Sequence, residues 1–112
     1  MSLSGITLVQ AVQLPNSVAA QYTCGANSQV IIRHAVFVNT TSGAITVTAY
    51  IIPNGGSVTD AGKVLDTFSI AAHTAYVSPE LSGCVLNAGD TLQCFASAAS
   101  SVSLNVSGIR QT

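Results

Sequence analysis

The side chains able to do chemistry are few and scattered. The chain carries two histidines, His34 and His73, three cysteines, Cys24, Cys84 and Cys94, and four carboxylates, Asp60, Asp66, Glu80 and Asp90. A zinc centre needs three or four N, S or O ligands around one point, and a nucleophilic site needs a base within hydrogen-bond reach. The cysteines are odd in number and lack CxxC spacing, so a zinc site from His34, Cys84, Cys94 and a fourth group has no paired motif behind it. No carboxylate belongs to a DxDxDG calcium loop, and a pair for glycoside chemistry would have to be picked freely among four. His34, on an apolar strand face, reads as a packed and hydrogen-bonded residue, and His73, beside Ala71-Ala72, as an exposed turn residue. Asp90, after Asn87-Ala88-Gly89, reads as a turn carboxylate that bonds its own backbone. The expectation is a chain with no catalytic residues, no metal and no cofactor, and therefore not an enzyme.

The other polar signals are equally modest. Free cysteine behaves as a small hydrophobe, so the three thiols read as buried and unpaired, with a single Cys84–Cys94 bridge as the alternative. Asn39-Thr40-Thr41 and Asn105-Val106-Ser107 match the glycosylation sequon. The start of the chain lacks a basic n-region and does not read as a signal peptide, so both sequons count as chance matches. Arg33, flanked by apolar residues, either snorkels to a carbonyl or to Asp66, or makes an ion pair at an interface. Tyr22, Tyr50, Tyr76, Phe37, Phe68 and Phe95 could form a sugar-stacking platform, but Trp, the strongest platform residue, is absent.

The elements that position these residues are strands. With 13 Val, 11 Thr and 14 Ser against one Lys and one Glu, helix is disfavoured along the chain. Ser101 to Ser107 alternates strictly between apolar and polar residues, as a half-buried strand does. Thr91 to Ala98 sets Leu92, Cys94 and Ala96 on one face, and Ala44 to Ile52 sets Ile45, Val47, Ala49 and Ile51 opposite Thr46, Thr48 and Tyr50. Gln29 to Val38 is different: simple alternation puts Val30, Ile32, His34, Val36 and Val38 on one face and Ile31, Arg33, Ala35 and Phe37 on the other, so both faces are apolar. Further strands are expected at Ile6 to Leu14, Val18 to Cys24, Val64 to Ile70 and Thr74 to Val77. Gly, Pro and Asn clusters mark the turns, Asn54 to Lys63 reads as a mobile exposed loop, and Pro79-Glu80-Leu81 as one helical turn capped by Ser78. Seven or eight short antiparallel strands in a single domain over residues 1–112 predict an all-β, two-sheet sandwich of jelly-roll or immunoglobulin-like topology.

Composition limits the partners. Charged residues make up only 6% of the 112 residues and the net charge is −1, so nucleic acid and anionic membrane surfaces are poor partners. The apolar runs are also far too short to span a bilayer. So few charges must protect four sheet edges and a wet surface. Either Ser, Thr, Asn and Gln coat the exterior, or other chains cover part of it. The second option accounts better for the doubly apolar Gln29 to Val38. It predicts a homo-oligomer, or a subunit docked repetitively on a larger lattice, held by salt-insensitive contacts.

Ile31-Ile32-Arg33-His34-Ala35-Val36-Phe37-Val38-Asn39-Thr40, Thr46-Val47-Thr48-Ala49-Tyr50-Ile51-Ile52-Pro53-Asn54-Gly55-Gly56, Val85-Leu86-Asn87-Ala88-Gly89-Asp90-Thr91-Leu92 and Val102 to Gly108 follow one another in a familiar order. From Val18 to Arg110 the chain resembles small β-sandwich virion proteins encoded in tailed-bacteriophage structural regions. That resemblance implies a virion structural protein made in the host cytoplasm: a capsid decoration (cement) protein, or a neck, tail or fibre accessory subunit. Its implied partners are further copies of itself and other virion proteins such as the major capsid protein, and no catalytic residue transfers. The interface candidates are Ile31, Arg33, Phe37 and Tyr50. The alternative of another class is a carbohydrate-binding module contacting surface glycan through Tyr50, Tyr76 or the loop from Asn54 to Asp60.

Overall fold

The computed structural model describes residues 3–112. Nine strands follow in chain order: β1 (Leu3–Gln13), β2 (Ala19–Thr23), β3 (Gln29–Asn39), β4 (Ile45–Ile52), β5 (Lys63–Ile70), β6 (Ala75–Val77), β7 (Val85–Leu86), β8 (Thr91–Ala96) and β9 (Val102–Gln111). Eight of them were legible as alternating or apolar runs. The ninth, β7, is only two residues long, too short to carry a pattern. Among the described residues the one helical element is a 3-10 turn at Asp60–Gly62, inside the exposed loop before β5. The expected helical turn at Pro79-Glu80-Leu81 is a hydrogen-bonded turn instead, in which the Ser78 hydroxyl accepts the Leu81 amide at 3.2 Å.

The topology follows from folding the chain in half at the loop after β4. That brings β4 against β5, β3 against β6 and β7, β2 against β8, and β1 against β9, all antiparallel. Rolling this long hairpin then adds two pairings, β3 with β9 and β4 with β8. The first sheet runs β1-β9-β3-β6, with β7 sharing the outer side of β3, and the second runs β2-β8-β4-β5. Of the two topologies open to the sequence, this nested wrap is the jelly roll.

Between the sheets lies one apolar core, to which Ile32, Phe37 and Leu104 contribute from the first sheet and Val47, Leu92 and Cys94 from the second. At one end Asn39, fully buried, ties the two sheets together: its amide donates to the carbonyls of Ile70 (2.9 Å) and Gly43 (2.8 Å), while its oxygen accepts from the Thr41 amide and hydroxyl. At the seam between β5 and β6, Phe68 stacks on Tyr76 with ring centroids 4.1 Å apart.

The doubly apolar β3 is resolved by a bulge. In the β3–β9 ladder Ile32 faces Gly108 and His34 faces Ser107, so Arg33 is the extra residue and the inward-facing parity switches there. Val30 and Ile32 point inward before the bulge, and Ala35, Phe37 and Asn39 after it. Gly108 permits the bulge because a Cβ at that position would run into the Ile31 carbonyl. His34, expected on a packed face, is therefore exposed, and Phe37, expected beside Arg33, is in the core.

Candidate functional site

The bulge decides what the outer face of the first sheet presents. Ile31 lies directly between Val85 of β7 and Ile109 of β9, giving three apolar side chains abreast. Ile31 is 39% exposed and Val85 43%, whereas fully packed core residues are at 0%. One step past the bulge, Val36 pairs with Val77, itself 55% exposed. Arg33 stands exposed between these two apolar rows. The ion pairs among the described residues join Lys63 to Asp60 at 3.3 Å and to Asp66 at 3.0 Å. The Lys63 ammonium, through its hydrogen bond, holds the Asp66 carboxyl below the ordinary carboxylate range. Asp66 is thus engaged with Lys63 rather than with Arg33.

Of the four interface candidates, the structure brings Ile31 and Arg33 together on this surface. Phe37 is at 0% exposure inside the sandwich, so its side chain is committed to the protein's own core. Tyr50 belongs to the second sheet, between Lys63 and Gln93, and is 8% exposed. Sequence reading missed Val77, Val85 and Ile109. Ile109 had a signal, because it interrupts the polar register of Ser103, Asn105 and Ser107; Val85 and Val77 had none.

The residues capable of chemistry stay apart. His34 faces outward from the first sheet, while Cys94 lies on the inner face of the second, so the first sheet separates them. Burial pushes the Cys94 thiol up to about 12, which keeps it protonated and unreactive at neutral pH. Cys24 and Cys84 are also free thiols, donating to the carbonyls of Leu86 (3.5 Å) and Glu80 (3.3 Å). No group of three metal-capable side chains occurs among the described residues. Asp90 accepts the Asn87 amide at 2.9 Å within its own turn and the Asn54 amide at 3.0 Å across to the next loop.

A cleft of about 360 Å³ lies where the loop after β4 folds back, lined by residues such as Ile51, Ile52, Pro53 and Thr59. Its lining contains neither an aromatic nor a charged side chain. Tyr76 is likewise occupied, stacked on Phe68 and donating its hydroxyl to Glu80 at 2.6 Å. The sequon residue Asn39 is buried with both ends of its amide bonded. No helix among the described residues is long and apolar enough to cross a membrane.

No protein-family model and no curated protein sequence matches the chain. Its fold does match solved structures. One is of Bacillus endospore appendages, described as disulfide-linked pili, with a TM-score of 0.58 and 13% identity over 99% of this chain and 88% of that one. Another is the VP2 subviral particle of infectious bursal disease virus, with a TM-score of 0.57 and 16% identity over 97% of this chain. T=1 particles derived from the same virus give 0.58 and 17%. The chain spans about a third of those capsid chains, 32% and 31% of their lengths, but most of the appendage chain. What it shares with these pilus and capsid proteins is the all-β sandwich fold.

Proposed function

We propose that this chain is an architectural subunit that acts by protein–protein contact, and specifically a bacteriophage virion component of the capsid-decoration type, made in the host cytoplasm and stabilising the shell from outside. The observation that carries this reading is the outer face of the first sheet. Three apolar side chains stand abreast across β7, β3 and β9 with the exposed Arg33 beside them, an arrangement that water does not reward and a neighbouring subunit does. The partners are further copies of the chain and a shell protein such as the major capsid protein. The fold likeness to capsid proteins of a self-assembling particle supports the structural class without naming the particle.

The test is addition of purified chain to particles that lack it. The wild-type chain should raise the temperature at which such particles release DNA. Ile31→Lys and Arg33→Ala should each weaken binding about tenfold, the equivalent of ~1.4 kcal/mol, while remaining folded. Particles that release DNA at the same temperature with or without the chain would refute the cement role. A second station, a fibre or tail accessory subunit, is favoured by the elongated 46 × 27 × 20 Å shape and by the likeness to an appendage protein, and an image of the native particle distinguishes the two. The glycan-module alternative has little support, because Tyr50 is buried and Tyr76 is engaged with Phe68 and Glu80.

A further inference from the structure

A two-sheet sandwich has four lateral edges, each a row of backbone N–H and C=O groups that will pair with a stray strand unless something prevents it. Three of the four are guarded. The β5 edge carries Lys63 and Asp66, and its ladder is interrupted twice. The β2 edge is broken by a register shift between Ala20 and Tyr22, so no more than two of its residues in a row pair in unbroken register. The edge beyond β3 is split into the three residues of β6 and the two of β7. The fourth edge, β1, is eleven residues long. Its second half is bulged, with register shifts between Thr7 and Val9 and between Val9 and Val12.

The first half of β1 has no guard at all. Leu3, Ser4, Gly5, Ile6 and Thr7 pair in unbroken register with residues 111 down to 107 of β9, and all except the half-buried Ile6 are exposed. None of the five is charged and none is proline, the two residue classes that normally blunt an edge. A flat, neutral, exposed strand edge is a site for β-augmentation.

We propose that residues 3–7 of β1 pair antiparallel with the same residues of a second copy about a two-fold axis at Gly5, joining the first sheets of two subunits into one continuous sheet. This rests on the reading of the chain as a self-associating subunit and names the contact between copies. The occupant follows by elimination. Among the described edges of another copy, the three guarded ones offer charge, bulge or too few residues, which leaves residues 3–7 themselves, and like edges meet isologously. The faces also agree. Leu3, Gly5 and Thr7 lie opposite Gln111, Ile109 and Ser107, so the outer apolar row of Val85, Ile31 and Ile109 continues through the axis into the partner. Leu3, at 64% the most exposed large apolar residue among those described, comes to lie beside Thr7 of the other copy.

Gly5 supplies a clean test, because a Cβ there meets nothing within 4 Å and a side chain can be added without disturbing the monomer. Sedimentation velocity at micromolar concentration should give the wild-type chain the mass of two subunits. Gly5→Lys and Gly5→Glu, which place like charges face to face on the axis, should each sediment as monomers with unchanged circular dichroism and thermal midpoint. An equimolar mixture of the two should regain the dimer mass through opposite charges. Amide exchange supplies a second readout, with protection at residues 3–7 that rises with wild-type protein concentration. A wild-type monomer, a Gly5→Lys variant of undiminished mass, or a mixture that stays monomeric would each overturn the pairing. Ile31→Lys separates this outcome from the proposed function: it should keep the dimer while weakening particle binding about tenfold. Intact particle binding by a monomeric wild-type chain would defeat the edge pairing alone.

Discussion

On the second sheet, β4 turns Thr46, Thr48, Tyr50 and Ile52 outward, and the chain itself covers the apolar members. The loop after β4 folds back so closely that a Cβ on Gly62 would come within 2.8 Å of the Ile52 side chain, and Ile52 is only 3% exposed. Thr48 is occupied as well, its hydroxyl accepting the Thr67 amide at 3.1 Å. On the first sheet, β3 turns Ile31, Arg33, His34 and Val36 outward, and Ile31 and Val85 in the row formed with Ile109 stay exposed among the described residues. Similar residue types thus have two fates. One outer face is finished by the monomer and the other keeps an exposed apolar row, which is why the proposed assembly surface lies on the first sheet.

The largest effect expected from breaking this contrast lies within β3 itself, where residues on either side of the bulge reach opposite environments. Phe37→Ser empties a fully buried site and should lower unfolding free energy by about 4 kcal/mol in urea titration, whereas Ile31→Ser on the outer face should change it by less than about 0.5 kcal/mol. Equal losses would mean that both residues serve the core. A smaller effect is expected from converting the finished face into an unfinished one. Gly62→Val pushes the loop off Ile52, should cost about 1–3 kcal/mol, and should raise binding of an apolar dye such as ANS, which Ile31→Ser should reduce. Dye binding unchanged by either substitution would erase the distinction between the faces.

The smallest effect concerns the seam where the two sheets meet, between β5 and β6. The Glu80 carboxyl, accepting from the hydroxyls of Tyr76 and Ser78, is held below its ordinary value of 4.5 mainly by the Tyr76 bond. Burial, and then the Glu80 charge, push the Tyr76 hydroxyl up to about 12. Folding lowers the Glu80 value, so its contribution is complete above 4.5 and is lost as pH falls through the lower folded value. Folding raises the Tyr76 value, so its contribution is complete below 10.0 and is lost as pH climbs through about 12. Tyr76→Phe should cost under about 1 kcal/mol, since Glu80 is exposed. Its deficit in thermal midpoint should be constant from roughly pH 5 to 9 and shrink as pH falls below 4.5 through the lower folded value of Glu80. A deficit that persists undiminished in acid would mean that the Tyr76 hydroxyl contributes independently of the Glu80 charge, since the substitution leaves the ring on Phe68 in place.

Eight strands and nearly all the turns were readable, because alternation and turn chemistry act over two to four residues. The inward residues Leu92, Cys94 and Ala96 of β8, and Val47 and Ala49 of β4, stand where alternation puts them. β3 misled because its bulge carries no local mark: the glycine that permits it, Gly108, is on a strand 75 residues away in sequence from Arg33. Half of the interface set was displaced by that shift and by the fold of the second sheet. Phe37 went to the core, and Tyr50 went to a face the monomer closes.

Taken by itself, the sequence determined that the chain is all-β, where eight of its strands and most of its turns fall, and that its seven charges are too few to guard every edge. Only the tertiary structure decided that the strands wrap as a jelly roll, that Ile31 and Arg33 face outward while Phe37 does not, and that among the described edges residues 3–7 of β1 lack charge, proline and bulge. The physical reason is range. Side-chain alternation is set between neighbours on one strand, but pairing, bulges and the covering of a face are set by residues that meet only after the chain has folded back on itself.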